Sequence, residues 1–153
     1  RIEGLIDVIK LCVRNAEQLT GAKADISWGE ISAERYPNRP MCQAFKDNME
    51  TLGIKMKWPD PKAQYGSSDI GNVSIKIPAI HDYLSITDDK TIQAHTKEYA
   101  DAAKSEEAQE ICLKGAKGLA MTGYDILSSD EFQAEIRRFH EQQIPDFYKE
   151  KKS

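Results

Sequence analysis

No two cysteines in this chain stand at C-x-x-C spacing, and their number is odd: Cys12, Cys42 and Cys112 cannot all pair within one chain. They read as reduced and mostly buried thiols. A role as nucleophile or metal ligand is disfavoured for each, because no His or Asp stands at ligand spacing from it. No apolar run approaches the ~20 residues needed to cross a bilayer, and the first ten residues, RIEGLIDVIK, mix acidic with apolar side chains and lack a signal-peptide cleavage pattern. These absences suggest a cytoplasmic setting. Positive charge is also in deficit: 21 Lys and Arg against 25 Asp and Glu give a net charge of -4, which argues against nucleic acid or an anionic membrane as partner. What remains is ordinary for a globular protein. With 153 residues, 40% hydrophobic and 30% charged, the chain can bury one core.

Ile2, Leu5, Ile6, Ile9, Val13, Ala16 and Leu19 recur at steps of three and four, which predicts a helix over 2–20 with one buried face. Gly21 is its stop. Ala22, Ala24, Ile26 and Trp28 then alternate with polar or small residues, which predicts a half-buried strand over 22–32. A lone helix and strand cannot cover both faces of that strand, so this unit is expected to find sheet elsewhere. Tyr36-Pro37-Asn38-Arg39-Pro40 reads as a rigid, turn-rich connection and places a domain boundary. Met41, Phe45, Met49 and Leu52 form the next helical stripe, ended by Gly53.

Ile54, Met56 and Trp58 predict a short strand cut off by Pro59 and Pro61, and the polar run Asp60 to Tyr65 leads into a loop. That loop, Gly66-Ser67-Ser68-Asp69-Ile70-Gly71-Asn72, is read as a sharp polar turn running into a strand from Val73 to Ile77. A second strand is predicted over Ile80 to Ile86, with Asp88 and Asp89 in the following turn. The remainder reads as helical. Ser105 caps a helix with Glu106 and Glu107 against its dipole, and Ala108, Ile111, Cys112, Gly115 and Leu119 share one face. Gly115, Gly118 and Ala120 keep that helix thin enough to lie close to a sheet. Ser128-x-x-Glu131 has the pattern of a capping box, Phe132, Ile136 and Phe139 form a last buried stripe, and Lys149 to Lys152 reads as a solvated tail. Neither a repeat nor a low-complexity segment is present.

Three motifs stand out together: GSSDIGNVS at Gly66 to Ser74, P-x-IH at Pro78 to His81, and His95-Thr96 opening KEYADAAKSEEAQ. In this combination the chain resembles the carboxy-terminal portion of the zinc aminoacylase and carboxypeptidase family. The branch it is most similar to holds amidohydrolases related to aminobenzoyl-glutamate hydrolase and aminoacylase-like dipeptidases. The resemblance implies an α/β fold, the carboxy-terminal portion of a two-domain zinc-exopeptidase-like architecture with an inserted α/β lid. Residues 1–35 would be the last helix and strand of the lid, which dimerises in the family, and residues 36–153 the carboxy-terminal portion of the catalytic domain. A homo-oligomer through residues 1–33 would follow.

The same resemblance implies a metal-dependent amidohydrolase or dipeptidase acting on an N-acyl amino acid or dipeptide-like substrate. Water activated between two zinc ions per full-length subunit, or manganese or cobalt in their place, would attack the amide carbonyl. His95 matches the last metal-ligand histidine of that site, whereas a lone loop histidine is by itself more often merely exposed. Gly66, Ser67 and Ser68 would line the substrate pocket. His81, fixed by Pro78, is read either as a group contacting substrate in the same cleft or as a satisfied strand histidine. Asp69 is read as a turn-former accepting backbone N–H bonds, and His140, flanked by Arg137, Arg138 and Glu141, as a solvated helix-surface residue. The resemblance places the family's other ligands in an H-x-D motif and a Glu-Glu pair upstream of the lid; no H-x-D occurs here, and Glu106-Glu107 opens a helix without an adjoining His. No catalytic residue is therefore assigned to this chain, and it is expected to be an inactive fragment that holds no zinc alone. A protein-interaction or dimerisation module is the competing reading.

Overall fold

The computed structural model describes residues 2–60 and 66–149, and its regular structure is helical throughout: α1 (Ile2–Thr20), α2 (Arg39–Thr51), α3 (Ile70–Ser74), α4 (Lys97–Ala102), α5 (Glu106–Ser128), α6 (Asp130–Gln143) and α7 (Asp146–Lys149). The expected α/β fold is corrected: no strand is present among the described residues. The reason is that alternation gives an extended chain its two faces but cannot supply the neighbouring backbone that a ladder requires. The segment 80–86 shows this directly. Ile80, Asp82, Leu84 and Ile86 are half-buried while His81, Tyr83 and Ser85 are exposed, a two-residue period with no paired strand. In 73–77 the local helical bonds win instead, with the Ile75 and Ile77 amides donating to Gly71 and Val73 carbonyls at 3.2 and 3.0 Å. Ile54 and Met56 are half-buried and Lys55 and Lys57 exposed, but Trp58 breaks the alternation by being exposed and no strand forms; residues 61–65 of the segment after it lie outside the described residues.

The chain divides into two compact units, Arg1–Ile31 and Ser32–Ser153. In the first, α1 ends where Gly21 adopts a φ of 72° and its amide caps the Glu17 carbonyl at 2.9 Å. No residue of this helix is buried; Leu5 and Leu19 are 62% and 87% exposed. Residues 21–30 are all exposed, so the half-buried strand expected at 22–32 is absent. Its tether is local: the Ala24 amide donates to Glu17 Oε1 at 2.8 Å.

The second unit is built on α2, α5 and α6, which pack pairwise. Phe45, Met49, Ala108, Ile136 and Ile144 form its core. The helix α2 begins at Asn38, whose side chain accepts from the Met41 amide, and ends before Gly53 at a φ of 81°. Ser105 and Thr96 cap α5 and α4 in the same way, through the Ala108 and Tyr99 amides. Ser129 rather than Ser128 caps α6, because α5 continues through Ser128. Of the small residues of α5, Gly118 faces α2 and Gly115 a loop, not a sheet. A Cβ on Gly118 would come within 2.4 Å of Met49 Sδ, and one on Gly115 within 2.8 Å of Leu84 Cδ1. The buried face of α5 is accordingly Ala108, Gly115, Gly118 and Thr122, while Cys112, Leu119 and Ala120 point outward. At the end of the described chain Lys149 pairs with Asp146 at 3.0 Å, and the rest of the expected tail, 150–152, lies outside the described residues.

Candidate functional site

Asn38 holds together the place where a groove forms in the second unit. It is fully buried, its amide donates to the Ala79 carbonyl at 2.9 Å, and its Nδ2 donates to the Ile136 carbonyl at 3.0 Å. One residue thus ties the start of α2 to the extended segment 79–83 and to α6. Ser74 performs a similar function one layer away. Its buried hydroxyl accepts from the Tyr36 amide at 3.0 Å and donates to the Gly71 carbonyl at 2.8 Å. His140 Nε2 meets the Ser74 carbonyl at 2.9 Å, so that nitrogen carries the hydrogen, and Gln143 donates to the Tyr36 carbonyl at 3.1 Å. His140 is therefore a half-buried structural histidine, which corrects its reading as a solvated surface residue.

The groove these contacts frame encloses about 920 Å³, and its walls include Arg35, Arg39, Trp58, His81, Asp82 and Tyr83. Arg35 and the 81–83 segment meet in a compact cluster. Arg35 Nη1 donates to Tyr83 Oη at 2.9 Å and lies 3.5 Å from His81 Nδ1, while the His81 and Tyr83 rings stack with centroids 4.9 Å apart. Arg39 stands over the Trp58 ring at 5.0 Å. Asp82 faces the other way. Its Oδ2 is sealed from solvent with no hydrogen-bond partner among the described residues, and burial raises its carboxyl above the ordinary range against the opposing pull of His81. Its contribution to stability is accordingly present below the unfolded-state carboxyl value and is lost as pH rises through the raised folded value.

Cys42 is buried in the same wall, and desolvation, with the Asp82 charge adding to it, pushes its thiol up to about 12. Cys12 and Cys112 are exposed, which corrects the expectation of mostly buried thiols. A thiol-reactive disulfide reagent at pH 8 should label two cysteines rapidly and the third only with the rate of unfolding. Three equally fast labels would contradict the packing of Cys42.

Of the residues predicted from sequence, His81 lines the groove, whereas Gly66, Ser67, Ser68 and His95 are not among its walls. Gly66 and Ser67 are exposed and Ser68 half-buried, and the Ser68 hydroxyl contacts Asp69 Oδ1 at 3.3 Å. Asp69 turns the chain through its backbone carbonyl, which accepts from the Asn72 amide at 2.8 Å; its carboxylate does not cap α3, contrary to the reading from sequence. Gly71 serves close approach and not a left-handed turn, since a Cβ there would lie 2.0 Å from the Ala33 carbonyl oxygen. His95 is exposed in the turn before α4 and has a φ of 66°, the one non-glycine residue at positive φ among those described. Left-handed backbone costs such a residue ~1–2 kcal/mol. A shallow pocket of about 210 Å³ lies beside it, walled by Thr91, Ile92, Gln93, Thr96 and Glu98. No group of three or more His, Cys, Asp or Glu side chains that could hold a metal occurs among the described residues.

Sequence reasoning missed Arg35 and Tyr83. Tyr83 stands two residues from His81 and so shares its side of an extended segment, a signal that was available. Arg35 carried none, because only folding brings it across 46 residues to His81. Asn38 was legible as a helix cap, with Pro40 in the first turn, though it was read as part of a linker.

No family model matches this chain. It is similar to the Xaa-Arg dipeptidase of Mus musculus, at 36% identity over 133 residues, which cover 83% of this chain and 30% of the relative. The Xaa-Arg dipeptidase of Homo sapiens matches at 36% over 129 residues, 82% of this chain and 29% of its own length. Both relatives are named dipeptidases. The chain spans about 30% of the length of these curated relatives, and over most of its own length it is related to that part of a dipeptidase.

Proposed function

We propose that this chain is the carboxy-terminal part of a metal-dependent amidohydrolase that cleaves dipeptides or N-acyl amino acids. The observation that carries this reading is the 36% identity to the Xaa-Arg dipeptidases over four-fifths of the chain. The GSSDIGNVS, P-x-IH and His-Thr motifs, which resemble the zinc aminoacylase and carboxypeptidase family and its aminobenzoyl-glutamate hydrolase branch, support the finer assignment.

In this reading His95 provides one metal ligand. Its fit rests on an exposed imidazole held at a φ of 66°, since strain at an accessible side chain is more often kept where the side chain is used. A zinc site needs three or four protein ligands, so the others come from the part of the protein that the relatives have beyond this stretch. Zinc, when bound, would supply an activated water and a polarised amide carbonyl. Gly66, Ser67, Ser68 and His81 contribute to the substrate pocket, and residues 36–153 belong to the catalytic domain. Residues 1–35 belong to the lid. The exposed apolar face of α1, including Ile2, Leu5 and Ile9, favours burial against a second copy through residues 1–33. No helix among the described residues is long and apolar enough to cross a membrane, and we place the protein in the cytoplasm.

The test is an assay of the intact protein against dipeptides that differ in their second residue and against N-acyl amino acids, with the released amino acid quantified. Turnover of one of these classes is expected. Turnover of neither removes the hydrolase reading and leaves the interaction module that the bare α1 face would suit.

A further inference from the structure

We propose that Asp82 is a proton-controlled catch on the groove wall: protonated, it lets the segment 79–83 lie shut against α2, and ionised, it favours a local opening that uncovers Cys42. The catch needs no hydrolase activity. The segment is anchored at two points. At one end the Ala79 carbonyl accepts from the Asn38 amide at 2.9 Å, and beyond the other Leu84 packs on α5, its Cδ1 within 2.8 Å of where a Cβ on Gly115 would lie. Residues 80–83 between them make no backbone hydrogen bond among the described residues, so this stretch can lift without breaking a ladder. Asp82 sits in the middle of it. Its Oδ2 is sealed from solvent and has no hydrogen-bond partner among the described residues. A neutral acid can rest there, whereas a carboxylate gives up its hydration and gains no donor in return.

The neighbouring charges do not relieve it. From α2 come Cys42, whose thiol feels the Asp82 charge, and Arg39, which acts on the same thiol but stands over the Trp58 ring. Lys46, in the same wall, is paired with Glu50. Arg35 meets His81 and Tyr83 on the exposed side of the segment, and α5 meets it through Gly115 and the apolar Leu84. His81 alone draws Asp82 towards ionisation, and burial outweighs that pull. The closed form therefore holds the proton more tightly than the open one. Its advantage is full below the carboxyl's value in the open form and is lost as pH rises through the raised closed value. Cys42 is buried beside this carboxyl, so the unfolding that lets a reagent reach it is a local lift of 79–83.

The experiment labels the intact protein with dithiodipyridine across a series of pH values, with a small cysteine peptide in the same tube and the modified sites read by mass spectrometry. The ratio of the Cys42 rate to the peptide rate cancels the thiolate fraction and the state of the reagent, and leaves the opening equilibrium. In the wild type this ratio should rise at least about threefold as pH climbs from the ordinary carboxylate range, and then level off. Asp82→Asn, neutral and of the same shape, should give a flat ratio. Asp82→Ala, which removes the carboxyl altogether, should do the same and covers a folding defect in the amide variant. Urea below the unfolding transition should leave the wild-type Cys42 rate nearly unchanged, since a local lift exposes little surface. A flat ratio in the wild type, a rise retained in either folded variant, or a Cys42 rate that climbs with urea as global unfolding does would each overturn the catch.

Discussion

Replacing His95 by alanine in the intact protein is expected to lower turnover by at least about 100-fold, since changing even the outer partners of a metal ligand costs about 10–100-fold. The metal content should fall with it. Stability should stay within about 0.5 kcal/mol, because the side chain is exposed and removing it uncovers no buried surface. The combination matters, since a residue that only shaped the turn would move stability and leave metal content alone. Thr96 already secures this turn, accepting from the Tyr99 amide at 3.2 Å and donating to the Gln93 carbonyl at 2.7 Å, so the cap survives the substitution. Equal metal content and near-normal turnover in His95→Ala would show that the His-Thr motif is a helix start and nothing more.

Asn38→Ala should be the most damaging single substitution for the second unit. It removes the cap of α2, a loss of about 1 kcal/mol, and strips the Ile136 carbonyl of its buried donor, a further ~1–3 kcal/mol. The expected total of about 3 kcal/mol is a large fraction of what holds a domain of this size folded. Asn38→Asp separates the two parts: it keeps the acceptor for the Met41 amide but sets a carboxylate against the Ile136 carbonyl, so it should be at least as destabilising as alanine. Denaturant midpoints of the two variants, compared at equal slope, provide the measurement. A loss under about 0.5 kcal/mol for Asn38→Ala would contradict the central place given to this residue.

Helix limits were legible because their causes are local. Gly21 and Gly53 stop helices by a conformation they adopt unaided, and Thr96 and Ser105 cap through hydroxyls within the same turn. The lack of strands among the described residues was not legible. Ile80 to Ile86 has the alternation of a strand, yet a strand is a property of two segments and the sequence shows one. At Val73 to Ile77 the same pattern misled, because helical bonds from Gly71 and Val73 are closer at hand than any partner strand. The site divides along the same line. His81 was found because Pro78 and the local motif mark it, whereas the Arg35 contact closes across distant sequence and leaves no local trace. The two faces of α5 were partly interchanged, with Cys112 and Leu119 placed inside, because glycine and threonine at 115, 118 and 122 form the buried stripe and carry little hydrophobic signal.

The most direct measurement is release of free arginine from an arginine dipeptide by the intact, metal-replete protein, before chelation, after it, and after zinc is restored. The account predicts release that chelation abolishes and zinc returns. Undiminished release after complete removal of metal would contradict the metal-dependent mechanism, and no release from this or any dipeptide or N-acyl amino acid would contradict the account as a whole.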